Sequence, residues 1–280
     1  MHDSRRLAEL SSVHHHDDDE QDEPKIEAKE LGVSAGRVTI LENIHIRFLP
    51  GQFIGILGPS GSGKSTLLTA LSGRKPYSSG EVLYDDGPMA GRPGETIGFV
   101  PQDDVLHTAL KTERLLTYSA RLQMPDKSKT ELSKLIDLIL RSVGLEERKK
   151  TRVKKLSGGQ RKRVSIAQEL LLSPKALFLD EPTSGLDPEL ERSVMKLCAR
   201  LAKEGRLIVM TTHILESINL FDRLLILVGG QTAFFGTPDE ALVFFKVEDM
   251  HHIYPLLNKK EASRYPEKFR TSMLYRKYLK

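Results

Sequence analysis

The run Gly58-Pro59-Ser60-Gly61-Ser62-Gly63-Lys64-Ser65-Thr66 satisfies the spacing G-x-x-x-x-G-K-[ST] over its first eight positions. Glycines at those places let backbone N–H groups curl around phosphate oxygens, and a following helix adds the positive end of its dipole. Lys64 then sets a point charge on β- and γ-phosphates, and the Ser65 hydroxyl can ligate Mg²⁺. A second run, Ala176 to Leu179, is apolar and ends in Asp180-Glu181. Carboxylates at the C-terminal end of a strand lie where open α/β sheets bind ligands. Asp180 suits a Mg²⁺ held through water, and Glu181 suits polarising an attacking water. Taken alone, that pair reads as an acidic strand end facing solvent; beside the phosphate loop it does not. Gln102 and His213 follow two more apolar runs, Ile97–Val100 and Leu207–Met210. Leu156-Ser157-Gly158-Gly159-Gln160 completes the set of unusual runs.

These groups need a scaffold, and the periodicities supply one. Ile26 to Leu31 and Ile44 to Phe48 alternate apolar and polar residues as half-buried strands do. Pro50-Gly51 turns into Phe53–Leu57, a buried strand that ends at the phosphate loop, and Ser65 to Leu71 reads as the helix beyond it, stopped at Gly73. Glu81–Tyr84 and Thr96–Val100 are further strands around a Gly/Pro-rich hairpin region. Thr112–Gln123 and Thr130–Ser142 carry helical spacings separated by Pro125, as an insertion into the sheet domain would. Arg161 to Leu172 reads as helix until Pro174. Ala176–Leu179, Leu207–Met210 and Leu224–Val228 are continuous apolar runs suited to parallel strands covered on both faces. Gly229-Gly230 then turns into Gln231–Phe235, and Asp239–Phe245 begins a last helical stretch. The whole predicts an α/β domain with a helical lobe inserted.

Composition narrows the class. The chain has 280 residues, 39% hydrophobic and 29% charged, with no tryptophan. Its single cysteine, Cys198, cannot close an internal disulfide, which fits a reducing compartment. No apolar stretch approaches the ~20 residues that span a bilayer, and the charged N-terminus carries no signal-peptide pattern. The expectation is a chain soluble by itself. Its net charge of +4 hides an acidic stretch at His14–Glu23 and a basic one from Lys259 to Lys280. Residues 1–24 read as a disordered tail, and their three adjacent histidines, lacking a scaffold, are assigned no metal. The basic end reads as a solvated helix surface, with a docked helix near a membrane face as the alternative.

Together these motifs resemble the nucleotide-binding domain of ABC (ATP-binding cassette) transporters, over about residues 25–245. The resemblance makes Gly58 to Thr66 the Walker A loop, Gln102 the Q-loop residue, and Ser65, Gln102 and Asp180 the Mg²⁺ site. It makes Leu156–Gln160 the signature, Asp180-Glu181 the Walker B end, Ser184–Asp187 the D-loop and His213 the switch histidine. It implies a P-loop NTPase fold: a RecA-like core sheet, an antiparallel β subdomain and a helical subdomain at about 103–160, followed by a basic extension at 246–280. It further implies ATP and Mg²⁺ as ligands, with Glu181, His213 and Gln102 catalytic. Two such domains would face head to tail, the Ser157, Gly158, Gly159, Gln160 and Asp187 of one meeting the nucleotide held by the other. The implied partners are a second cassette, most simply a homodimer, and transmembrane permease domains in the same or a separate chain. No nucleic acid is implied. The implied place is the cytoplasmic face of the plasma (inner) membrane.

Val100–His107, Ser119–Pro125, Gly159–Arg163, Phe235–Pro238 and Phe244-Phe245 are similar to the G-type (White-like) exporters, and Phe269–Tyr278 looks like the extension of their bacterial relatives. One departure stands out: Ser34–Val38 offers no aromatic residue to stack on adenine. The alternative function is a soluble regulatory ABC ATPase. The ribosomal kind carries two cassettes per chain and the DNA-repair kinds interrupt theirs, whereas this chain has one uninterrupted copy.

Overall fold

The computed structural model describes residues 26–85, 87–88, 97–213 and 215–279. Alternation drives the first two strands: β1 (Ile26–Ala35) and β2 (Val38–Phe48) pair antiparallel and bury Ile26, Ala28, Ile44, Ile46 and Phe48. Both run longer than the alternation predicts. Register shifts between Ala28 and Leu31 and on to Ser34, with Glu30 at φ 51°, break the period of two that marks a strand. With β4 (Ser79–Tyr84) and the short β5 (Gly87–Pro88) they form a four-stranded sheet ordered β2-β1-β4-β5. The expected hairpin region after Tyr84 falls largely outside the described residues, as does the expected tail 1–24.

The second sheet contains β3 (Phe53–Leu57), β6 (Ile97–Val100), β7 (Ala176–Leu179), β8 (Leu207–Thr211), β9 (Arg223–Val228) and β10 (Gln231–Gly236). Its order is β10-β9-β3-β8-β7-β6, parallel throughout except for β10, which returns antiparallel on the edge. Every residue of β3, β6, β7 and β8 is buried, which is why these strands read as unbroken apolar runs.

Helix α1 (Lys64–Leu71) leaves the phosphate loop and buries Leu67, Leu68 and Leu71. The inserted lobe holds α2 (Thr112–Gln123) and α3 (Lys129–Ser142), and α4 (Gly158–Glu169) runs from its end towards β7. Leu115, Leu116 and Ala120 of α2 and Leu132, Ile136, Ile139 and Leu140 of α3 are buried at the three- and four-residue spacings that predicted them. A reciprocal cap between Ser128 and Glu131 starts α3 at Lys129. Backbone bonds from Thr112 N–H to Thr151 O (3.0 Å) and Val153 N–H to Leu110 O (2.9 Å) close the lobe.

Helix α5 (Pro188–Lys203) is absent from the sequence reading, although its signals are ordinary: an Asp187 cap, proline in the first turn, and buried Val194, Leu197, Cys198 and Leu201. Cys198 packs there as a small apolar group, its thiol pushed up to about 12 by burial. The basic end also departs from expectation. After α6 (Pro238–Phe245), the short helices α7 (Ile253–Leu257), α8 (Tyr265–Arg270) and α9 (Met273–Leu279) fold back on the sheet. Tyr265 and Phe269 join Phe234, Phe244 and Phe245 in a cluster whose ring centroids lie 4.9 to 6.4 Å apart. Only the outward charges of that end form a solvated surface, because aromatic pairs beyond their buried area add roughly 0.5–1.5 kcal/mol each.

Candidate nucleotide site

Four neighbouring strands, β3, β8, β7 and β6, end side by side, and the chemistry-bearing residues follow each end. Gly58 follows β3, His213 lies just beyond β8, Asp180-Glu181 follow β7 and Gln102 lies beyond β6. This is the crevice outside the carboxyl ends of parallel strands where α/β sheets take ligands.

The phosphate loop needs glycine for measurable reasons. A Cβ on Gly58 (φ 149°) would sit 2.4 Å from Leu227 O, and one on Gly63 (φ 96°) 2.6 Å from Leu41 Cδ2. Helix α1 has Gly63 as N-cap, no side-chain cap and no acidic residue in its first turn. Its first N–H groups and its dipole are thus left to an anion. Lys64 Nζ donates to Gly58 O (2.9 Å) and Pro59 O (3.1 Å), folded back on its own loop. Burial lowers the pKa of that ammonium, and the carboxylates of Glu181 and Asp180 oppose the shift. Ser62 Oγ is buried within the loop and has no hydrogen-bond partner among the described residues.

Asp180 Oδ1 accepts from Ser65 Oγ (3.0 Å) and from Thr211 Oγ1 (2.6 Å). Thr211 Oγ1 in turn accepts from Glu181 N–H (2.8 Å). Glu181 stands at φ 39°, a left-handed backbone that costs about 1–3 kcal/mol for such a residue. The Thr211 bond and the bond from Asp180 N–H to Val100 O (2.9 Å) hold it there. The Glu181 carboxylate faces Gln102 Nε2 at 3.4 Å and His213 Nδ1 at 3.6 Å, both measured to Oε2. Lys64, Ser65, Gln102, Asp180, Glu181 and His213 therefore surround one space. Thr211, which ties the Asp180 carboxylate and the Glu181 main chain to β8, was not among the sequence candidates. A threonine ending an apolar run looks like any buried strand residue.

The donor set fits Mg²⁺. Hard oxygens line it, the Ser65 hydroxyl and the Asp180 carboxylate 3.0 Å apart, and such donors suit a hard divalent cation held directly or through water.

The signature residues lie elsewhere. Ser157 Oγ accepts from Gln160 N–H (3.3 Å) and Gln160 Oε1 accepts from Ser157 N–H (3.1 Å), a reciprocal cap that begins α4 at Gly158 rather than at Arg161. Added Cβ atoms on Gly158 and Gly159 would lie 2.9 Å from Leu186 Cδ2 and 3.1 Å from Leu190 Cβ, so these glycines let α4 pack on the start of α5. Asp187 Oδ1 caps that start through Glu189 N–H (3.1 Å) and Leu190 N–H (3.0 Å). Ser157 and Asp187 are exposed. Among the described residues no hydrogen bond or ion pair joins 157–160 or Asp187 to the loop 58–66. From the C-terminal end, the Tyr254 hydroxyl reaches Thr212 O at 3.4 Å, with its pKa pushed up to about 12 chiefly by burial.

Residues 41–184 match the family described as ABC transporter. Among curated proteins, the chain is 41% identical to an ABC transporter ATP-binding/permease protein of Mycobacterium tuberculosis, over 73% of this chain and 24% of that protein. It is 40% identical to ABC transporter G family member 26 of Arabidopsis thaliana, over 70% of this chain and 30% of that protein. The chain thus spans about a quarter to a third of the length of these relatives. Among solved structures, cbiO1 from Clostridium perfringens, part of the ABC transporter complex cbiONQ, superposes with a TM-score of 0.72 and 32% identity. That match covers 84% of this chain and 98% of cbiO1.

Proposed function

The chain belongs to the ABC transporter family, and from that premise we propose that it powers export as one of two ATP-hydrolysing cassettes facing head to tail. The observation that carries the pairing is the separation just described: Ser157 at the start of the signature is exposed, and among the described residues no hydrogen bond or ion pair joins the signature to its own phosphate loop, while Lys64, Ser65, Gln102, Asp180, Glu181 and His213 converge. One chain then holds two half-sites, Gly58–Thr66 with Gln102, Asp180, Glu181 and His213 in one, Ser157–Gln160 and Asp187 in the other. Residues 25–245 form the cassette, with its helical subdomain at about 103–160, and 246–280 extend it.

In this reading the loop amides and the α1 N-terminus take the β- and γ-phosphates, and Lys64 Nζ moves from Gly58 O and Pro59 O onto them. Ser65 and Asp180 would hold Mg²⁺, with Gln102 close by; the ion supplies charge neutralisation on the phosphate oxygens. Glu181 Oε2 accepts the proton of the water that attacks the γ-phosphorus, the bond to the β-phosphate oxygen breaks, and ADP and phosphate leave. Gln102 Nε2 and His213 Nδ1, both facing Oε2, orient that carboxylate and its water. Ser157 and the N-terminus of α4 contribute the same helix-end electrostatics to the partner's γ-phosphate.

A permease is the partner the surface favours. Tyr118 and Leu122, one turn apart on α2, are 50% and 86% exposed, and Val105 in the loop after Gln102 is 82% exposed. Among the described residues no helix is long and apolar enough to cross a membrane. We place this domain at the cytoplasmic face of the membrane, docked through this lobe. Pairing is checked by the concentration dependence of activity. ATP hydrolysis per unit volume should rise faster than linearly with protein, whereas strict proportionality from dilute monomer upward contradicts the paired reading.

A further inference from the structure

Lys162 lies one and a half turns into α4, and its side chain is 7% exposed. Its ammonium has three N–H donors and three oxygens around it: Pro101 O at 3.2 Å, Gln102 O at 2.9 Å and Asp104 Oδ1 at 2.8 Å. Ser165 Oγ, one turn further along α4, donates to the same Asp104 oxygen at 3.0 Å. Arg161 Nε approaches the other carboxylate oxygen at 4.0 Å. A buried ammonium is costly unless it is paired and hydrogen-bonded, so this one specifies where the loop 101–104 sits. That loop carries Gln102, whose side chain faces Glu181.

We propose that Lys162 is a positioning residue that latches the Gln102 loop to the signature helix, so that the two half-sites of one chain are set together. The proposal rests on the paired reading above. Ser157, which would meet the partner's nucleotide, is five residues before Lys162, roughly 7.5 Å along a rigid helix at ~1.5 Å per residue. A displacement of the signature against the partner's phosphate is carried by that helix to the main chain of Gln102, and so to the water-activating carboxylate of its own site.

The test uses Lys162→Met, which keeps length and removes the charge, and Asp104→Asn, which keeps shape and weakens the contacts of Asp104 with Lys162, Ser165 and Arg161. In Lys162→Met, ATP affinity should stay within about twofold of wild type, since no phosphate contact is lost. The kcat should fall by about tenfold with KM little changed, and the Hill coefficient for ATP should drop towards one. Amide hydrogen exchange across 101–108 should quicken by about tenfold, by local opening of the loop. Asp104→Asn should give the same changes to a smaller degree. Unchanged kcat, cooperativity and loop exchange in Lys162→Met would overturn the latch, as would loss of ATP binding with unchanged exchange. A wild-type Hill coefficient of one would instead overturn the pairing; the exchange measurement, which needs no turnover, still decides for or against the latch.

Discussion

Glu181→Gln should bind ATP as wild type does and turn over about 10³-fold more slowly, within the ~10²–10⁴ range of a lost general base. The substitution is nearly isosteric, and the backbone of residue 181 is held independently of its side chain by Thr211 Oγ1. Asp180, Ser65 and Lys64 keep their contacts, so the phosphate-binding half of the site survives. What disappears is the anionic oxygen that Gln102 and His213 face, and with it the acceptor for the water's proton. ATP then stays uncleaved between the two chains, and an ATP-dependent dimer should accumulate in light scattering. A variant that hydrolyses ATP at the wild-type rate would remove Glu181 from the role given to it.

Lys64→Ala should weaken ATP binding by about 3 kcal/mol, on the order of a hundredfold, as expected when a charged hydrogen-bonding group is deleted from a partly buried site. Without the ammonium, the triphosphate must approach Asp180 and Glu181 with no fixed positive side chain between them. Burial lowers the Lys64 pKa, and the carboxylates of Glu181 and Asp180 oppose that shift. The loop itself should persist, because its shape follows from Gly58 and Gly63, where any Cβ would collide with Leu227 O or Leu41. Calorimetric titration with ATP reads the loss directly. Wild-type affinity in the variant would mean that the loop amides alone bind the phosphates.

Residues whose surroundings are dictated by one strand or one helix were legible in the sequence. Phe53–Leu57 is apolar at every position because it is buried on both sides, and the loop after it carries its own spacing rule. Glu181 and the five groups around it follow the ends of four such strands. Less legible were groups defined by what lies across the fold. Thr211 and Lys162 have ordinary side chains whose partners are 30 to 61 residues away, and lysine is rarely buried unless it is paired. The start of α4 was within reach: Ser157 and Gln160 stand three apart, the spacing of a reciprocal cap, yet the glycines between them read as loop. The aromatic residues of the C-terminal end were overshadowed by their charged neighbours, although Tyr265 and Phe269 stand one helical turn apart.

The head-to-tail pairing is tested most directly by mixing two variants that are each inactive for a different reason. Lys64→Ala disables a chain's own phosphate loop and leaves its signature intact. Ser157→Arg blocks the exposed signature, costs about 1 kcal/mol of helix capping, and leaves the phosphate loop intact. A mixed pair joins the sound loop of one chain to the sound signature of the other. Equal amounts of the two should recover about a quarter of the wild-type ATPase rate, since half of randomly formed pairs are mixed and each has one whole site. No recovery at any ratio, with both variants folded, would contradict the pairing.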